Sequence, residues 1–455
     1  MILDPLTVLQ DLVRFPSVSA DSAFKQGLAE TRDYLESNLQ AIGFDVQVIS
    51  TPGQPIILGE RLVDEDAPKV VIYGHYDVQP PDPLDLWKSE PFEPEIRDGR
   101  IYGRGAADNK GPLSVYLGAV SELLAENPNI ALNIVFILEG EEEIGSPSFV
   151  PVLEAYAERI KGDFVFACDT GSLKPDQLTV TTGLRGISCI QVNLEGASQD
   201  LHSGLFGGAI LNPIHALTDI CHSLHNEDGT INVPGFYDSI DDTEQWERDE
   251  LNRAGEDLDA LKRFLGVDDF FPPPGLNASE APRLAPTLEF NGIGGGYQGE
   301  GSKTVIPSKA FAKISCRLVA NQNADRIQKL LIETIKDRCP PQMKLSFEIG
   351  HNGNPYLVVP PGKTNTPTDQ NPALAKAFLA NEKHGEALFG KRPVYLREGG
   401  SIPIIGDIKR ILDMDTLLVG LYLPEDAMHA PNESFDLSMM SRGKELIKKI
   451  LLDLN

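Results

Sequence analysis

With 455 residues, 41% of them apolar, the chain exceeds what one hydrophobic core usually serves, and two domains are predicted. A net charge of −27 argues against nucleic acid or an anionic membrane as a partner, and no apolar run approaches the ~18 residues of a membrane span. The five cysteines, at 168, 189, 221, 316 and 339, are odd in number and form no Cys-x-x-Cys pair, which argues against a disulfide framework or a thiolate zinc site.

In chain order, residues 28–42 read as an amphipathic helix ended by Gly43. Asp45–Ile49 and Lys69–Tyr73 read as strands, 111–125 as a helix, and Leu132–Leu138 as a buried strand. A helix near 148–160 and a strand at Asp163–Ala167 follow. This alternation predicts an α/β sheet covered on both faces, with ligands beyond the carboxyl ends of its strands. The pattern changes at Gly183-Leu184-Arg185-Gly186: a strand at 187–194, a helix near 211–225, then an acidic, Pro-rich stretch at 226–283 read as an irregular insertion with one short helix. A strand at 287–290, a glycine-rich loop at 292–301, a strand at 311–318, a helix at 324–339 and a strand at 343–349 predict a small α+β sandwich. Residues 352–372 read as a linker. A helix at 374–389, strands near 393–396 and 416–420, and a final helix at 437–452 would complete the first domain.

The strand at 132–138 runs into Glu139-Gly140-Glu141-Glu142-Glu143-Ile144-Gly145-Ser146. Adjacent carboxylates at the mouth of a strand repel one another and are costly to desolvate, and a cation would relieve both problems. Further candidate ligands sit at other strand ends or loops: His75 and Asp77, Asp108, Asp169 and His429. Oxygen and imidazole donors without thiolates suit zinc, manganese or cobalt. Taken singly, each is ordinary: a histidine at a strand end is usually a plain hydrogen-bonding group, and Asp108-Asn109 alone reads as a turn. Their joint order is the specific signal. The glycine-rich loop fails as a phosphate-binding loop because Ser302 intervenes between Gly301 and Lys303. No Gly-x-Ser-x-Gly elbow or His-Glu-x-x-His is present, so serine-hydrolase and single-zinc readings lack support. Histidines 215, 222, 225, 351 and 384 have no ligand context.

These motifs resemble the co-catalytic di-zinc metallopeptidases, a family that includes carnosinase, cytosolic non-specific dipeptidase, carboxypeptidase G-type enzymes, aminoacylase and the acetylornithine and succinyl-diaminopimelate deacylases. The resemblance spans nearly the whole chain. It is nearest the dipeptidase branch, through Gly74-His75-Tyr76-Asp77-Val78-Gln79-Pro80, Trp87-Lys88-Ser89-Glu90-Pro91-Phe92, Tyr102-Gly103-Arg104-Gly105, Glu142-Glu143-Ile144-Gly145-Ser146, Leu201-His202-Ser203-Gly204, Lys303-Thr304-Val305-Ile306-Pro307 and Arg397-Glu398-Gly399-Gly400-Ser401-Ile402-Pro403.

The resemblance implies a fold and a set of roles. The fold is an α/β catalytic domain with a mixed, mostly parallel sheet (1–182 and 366–455), into which a smaller α+β lid or dimerisation domain (183–365) is inserted. Two divalent cations, zinc or manganese with cobalt as a third candidate, would be held per subunit. Asp108 would bridge them, with His75 and Asp169 at one and Glu143 and His429 at the other. Glu142 would be the general base, and Asp77 would fix the His75 tautomer. The peptide Asp108-Asn109 is often cis in this family. His202 would stabilise the oxyanion in the partner subunit's site, Arg317 would clamp the substrate carboxylate, and Thr304 and Ser401 would contact substrate. The expected activity is hydrolysis of dipeptides or short peptides with a free carboxylate. An N-acyl-amino-acid deacylase or a carboxypeptidase of the same fold stays open, as does a non-catalytic binding member. The expected setting is a cytoplasmic homodimer, from the cysteines and from an N-terminus, Met1-Ile2-Leu3-Asp4-Pro5, without the basic region of a secretory signal.

Overall fold

Four apolar runs supply the parallel centre of a mixed sheet: Asn133–Glu139, Lys69–His75, Phe164–Gly171 and Thr416–Tyr422, adjacent in that order. Nearly every residue in them is buried, as expected of strands covered on both faces. Ile56–Arg61 and then Asp45–Ile49 extend one side antiparallel, and Thr179–Leu184 pairs antiparallel with Thr416–Tyr422 on the other. Successive residues point to opposite faces, and the ring contacts follow. Tyr116, on the helix Lys110–Glu126, packs edge-on to Phe166, the register partner of Ile72. Its neighbour in register, Tyr73, packs edge-on to Phe149 on the opposite face. Each such aromatic burial is worth about 1.5–3 kcal/mol.

The computed structural model describes residues 1–363 and 370–455 and divides the chain into two compact units. The sheet belongs to the first, Met1–Thr182, Val358–Leu396 and Asp407–Asn455. The second comprises Gly183–Leu357 and Arg397–Gly406. Its four-stranded antiparallel sheet runs in the order Thr287–Gly295, Lys309–Leu318, Gly186–Glu195, Lys344–Gly353. Strict alternation of buried and half-buried residues along Gly186–Glu195 gives it one core face. Ile190, Val192, Leu194, Ile314 and Cys316 pack there with Leu217 and Ile220 of the helix Pro213–Ser223 and Leu331 and Ile335 of Ala324–Arg338.

Several sequence expectations are corrected. The stretch 226–283 carries three helices, Gln245–Ala254, Leu258–Leu265 and Ala281–Leu284, instead of one. The helix expected near 148–160 is two, divided at Tyr156. The strand beginning at Thr287 continues through Gly295 into the predicted loop, with a bulge between Phe290 and Gly292. A helix at Pro403–Leu412 and the strand Ile56–Arg61 were not anticipated. The boundary predicted at 365/366, and part of the linker predicted at 352–372, fall outside the described residues. Arg397–Gly406, expected in the first unit, groups with the second. The Arg397 guanidinium donates to both Glu247 carboxylate oxygens (2.6 and 3.0 Å), and Arg185 Nε donates to the Gly399 carbonyl (2.7 Å).

Candidate di-metal centre

His75 is the last residue of its strand and is fully buried. Its Nδ1 faces Asp77, 3.1 Å from the backbone carbonyl and 3.4 Å from Oδ1. That contact assigns the proton to Nδ1 and turns Nε2 toward Asp108 Oδ1 (3.0 Å) and Asp169 Oδ1 (3.7 Å). The other oxygen of Asp108 lies 3.0 Å from His429 Nε2, which is 3.3 Å from Glu143 Oε2. Two groups with the spacing of metal ligands result: His75, Asp108 and Asp169, and Asp108, Glu143 and His429, each with its donor atoms within 4.8 Å of one another. Asp108 is common to both. The Asp108–Asn109 peptide is cis.

A surrounding layer of donors orients these side chains. Asp77 Oδ1 accepts the N–H of Glu142 (3.2 Å) and Oδ2 the N–H of Glu143 (3.1 Å). Gln79 Nε2 donates to Glu143 Oε2 (2.8 Å), while Asn109 Nδ2 (2.8 Å) and the Tyr422 hydroxyl (2.7 Å) donate to Asp169 Oδ1. Gln79 and Asn109 stand inside the His75 and Asp108 motifs, but an amide side chain there carries no sequence signal of its own. Tyr422 gave no signal, because a tyrosine closing an apolar strand reads as core.

The second unit brings the remaining candidates together in two pairs. Leu201–His202 pairs antiparallel with Val305–Ile306, and the Ser203 N–H donates to the Thr304 carbonyl (3.1 Å), so His202 and Thr304 are neighbours. His202 Nδ1 accepts the Gly204 N–H (3.0 Å), which places the donor N–H of that tautomer on Nε2. Arg317, on the face of its sheet opposite the core, donates from Nη1 to Ser401 Oγ (2.8 Å).

Residues 71–453 match the family described as peptidase family M20/M25/M40. The chain belongs to this family. It is 31% identical to the Cys-Gly metallodipeptidase dug1 of Schizosaccharomyces pombe, over 97% of this chain and 93% of that protein. It is 29% identical to the human Beta-Ala-His dipeptidase, over 98% and 90%. Among solved structures, the M20 metallo-carboxypeptidase Sso-CP2 of Sulfolobus solfataricus superposes with a TM-score of 0.84 at 28% identity, covering 99% of each chain. The fold is therefore that of M20 peptidases, in which metal chemistry is expected.

The donor set of this M20 peptidase fits a pair of divalent cations. Among the described residues, three carboxylates and two imidazoles converge without a thiolate, and Glu143 Oε1 is buried with no hydrogen-bond partner. Burial disfavours the charge of Asp108, yet hydrogen bonds from His429 and His75 hold its carboxyl well below the usual range. Burial also lowers proton affinity at His75, but hydrogen bonds to Asp108, Asp169 and Asp77 outweigh it and raise the imidazole well above the histidine range. Hydrogen bonds to Asp108 and then Glu143 push His429 up to about 10. Glu142 is raised well above the carboxylate range by burial, with His75 opposing and the carboxylates of Asp169, Asp108 and Glu143 adding to the rise.

Both imidazoles are thus shifted toward the protonated form in the metal-free protein, and ligation requires them neutral. Metal uptake should release a proton from each, and apparent affinity should fall as pH falls below the raised histidine values. Calorimetric titration of metal-free protein with Mn2+, in buffers of differing ionisation enthalpy, measures this. Uptake without proton release would show that the imidazoles are already neutral before metal binds.

Proposed function

We propose that this M20 peptidase is a metal-dependent dipeptidase acting on dipeptides or short peptides with a free C-terminal carboxylate. The observation that carries the reading is Asp108, whose two carboxylate oxygens face the two imidazoles of separate ligand groups. The metallodipeptidases similar to this chain support it. Two cations, of zinc, manganese or cobalt, would be held by His75, Asp108 and Asp169 and by Asp108, Glu143 and His429, and when bound they acidify water toward a pKa of ~7. Glu142 takes the proton of the attacking water and returns it to the leaving amine. Asp77 holds His75 in its tautomer. Arg317, steadied by Ser401, binds the substrate carboxylate through its guanidinium fork, with Thr304 beside His202 as a further contact. The second unit serves as lid and dimerisation module, and His202 Nε2–H donates to the developing oxyanion in the partner subunit's site. A cytoplasmic setting suits five free cysteines.

A carboxypeptidase of the same fold is the second reading, on the likeness to the Sulfolobus enzyme. A panel of dipeptides, longer peptides and N-acetyl amino acids separates the two and also detects deacylase activity.

Glu142 and Glu143 should part by role. Glu142→Gln should lose ~10²–10⁴-fold in turnover with two metals still bound, whereas Glu143→Ala should lose metal. Elemental analysis beside the rate assay decides, and the reverse outcome means that the assignments are exchanged.

Amidated dipeptides should be poor substrates of the native protein, and Arg317→Ala should remove most of the preference for the free acid. A native preference for the amide would end the clamp reading.

His202→Ala should lose ~10²–10³-fold in rate, and so should not restore activity alone. Co-expressed with Glu142→Ala, it should regain activity, because a mixed dimer contains one complete set of groups. Verified mixed dimers that stay inactive would assign His202 to its own chain or to no role.

A further inference from the structure

Glu433 lies four residues beyond His429 and is 1% exposed, as is the Arg104 that faces it. Its carboxylate is saturated. Oε2 accepts Arg104 Nη1 (2.7 Å) and the Gly105 N–H (2.8 Å), and Oε1 accepts the N–H groups of Ala107 (2.9 Å) and Asp108 (3.0 Å). Three of the four donors are backbone groups of the loop that ends in Asp108. Gly105 adopts φ +81, and a Cβ there would stand 2.4 Å from Val78 Cγ1, so the loop is shaped to bring these N–H groups inward.

The clamp reaches two further segments. Arg104 Nη2 donates to the Pro80 carbonyl (3.2 Å), at the end of the stretch that carries His75 and Asp77. Asn432, beside Glu433, accepts the Lys88 N–H at Oδ1 (2.8 Å) and donates from Nδ2 to the Leu86 carbonyl (2.8 Å). The His429–Asn432 segment takes a left-handed backbone at His429 (φ +60) and Asn432 (φ +65), conformations that persist only where the surroundings enforce them. One buried carboxylate thus joins the loops of His75, Asp108 and His429.

We propose that Glu433, held by Arg104, is the positioning residue of this centre: it sets the loop that aims the Asp108 carboxylate at both histidines. An acceptor-only group is required, because all four partners point N–H at it. A glutamine of the same shape would turn its own N–H₂ toward two of them. The inference rests on Asp108 serving both ligand groups.

The test is metal affinity of the full-length protein, by titration of the metal-free form with Mn2+, beside thermal melts with and without Mn2+. Glu433→Gln should weaken Mn2+ binding at least ~10-fold, in the range usual for groups that orient metal ligands. It should also shrink the rise in Tm that Mn2+ brings. If both melts fell in parallel with the Mn2+ affinity unchanged, Glu433 would be a structural ion-pair partner only and the proposal would be overturned. Should Glu433→Gln not fold, Arg104→Lys keeps the charge and loses the fork. It should weaken Mn2+ binding in the same direction, and an unchanged affinity there overturns the proposal equally. Asp108→Ala separates the two levels. If that variant kept both metals, the shared-ligand reading would fall and this inference with it, whereas unchanged binding in Glu433→Gln removes the inference alone.

Discussion

The molecule is organised around carboxylates crowded together where they repel. Asp108, Asp169 and Glu143 converge with Glu142 close behind. At an effective dielectric near 20, each like-charged pair at ~4 Å costs about 4 kcal/mol. The sheet makes this tolerable by spreading the residues over separate rigid elements. The parallel strands deliver His75 and Asp169, a single 3-10 turn delivers Glu142 and Glu143, and loops deliver Asp108 and His429. Gln79, Asn109 and Tyr422 donate to lone pairs of Glu143 and Asp169, and the N–H groups of Glu142 and Glu143 donate to Asp77 behind them. Contacts with the two imidazoles offset part of that repulsion, and cations would offset more.

The second unit answers a different demand. Its sheet buries one face against two helices and leaves the other polar, the ordinary condition of an antiparallel sheet. On that polar face Gln191 and Asn193 both donate to Glu348, and Arg317 reaches Ser401. The polar face therefore carries hydrogen-bonding side chains on a framework whose register is fixed from the core side.

Much of the fold was legible because its signals are local. The central strands are apolar runs bounded by turns, and Gly43 (φ +97) ends the helix Lys25–Ala41 as its position suggested. The structure groups the expected ligands because their motifs are short and lie at strand ends or in the turns and loops beside them. What escaped depends on distance along the chain or on unusual burial. The helix Gln245–Ala254 turns Glu247 and Glu250 inward, so apolar periodicity could not reveal it. Leu258–Leu265 has no buried residue at all. The regrouping of Arg397–Gly406 follows an ion pair spanning 150 residues, and Glu433 meets its donors across about 325. No window of sequence contains those pairs.

Asp77 has one more consequence. Its two oxygens hold the peptide N–H groups of two consecutive, chemically identical glutamates. Neither peptide can rotate without breaking its bond to Asp77, so the directions in which the two side chains leave the backbone are set together. In the reading proposed here, one of the pair meets a cation and the other moves a proton. That division of labour is then written in the main chain and not in the side chains. Two copies of the same amino acid would then acquire different chemistry from the orientation of the peptides that carry them, both held by a single aspartate.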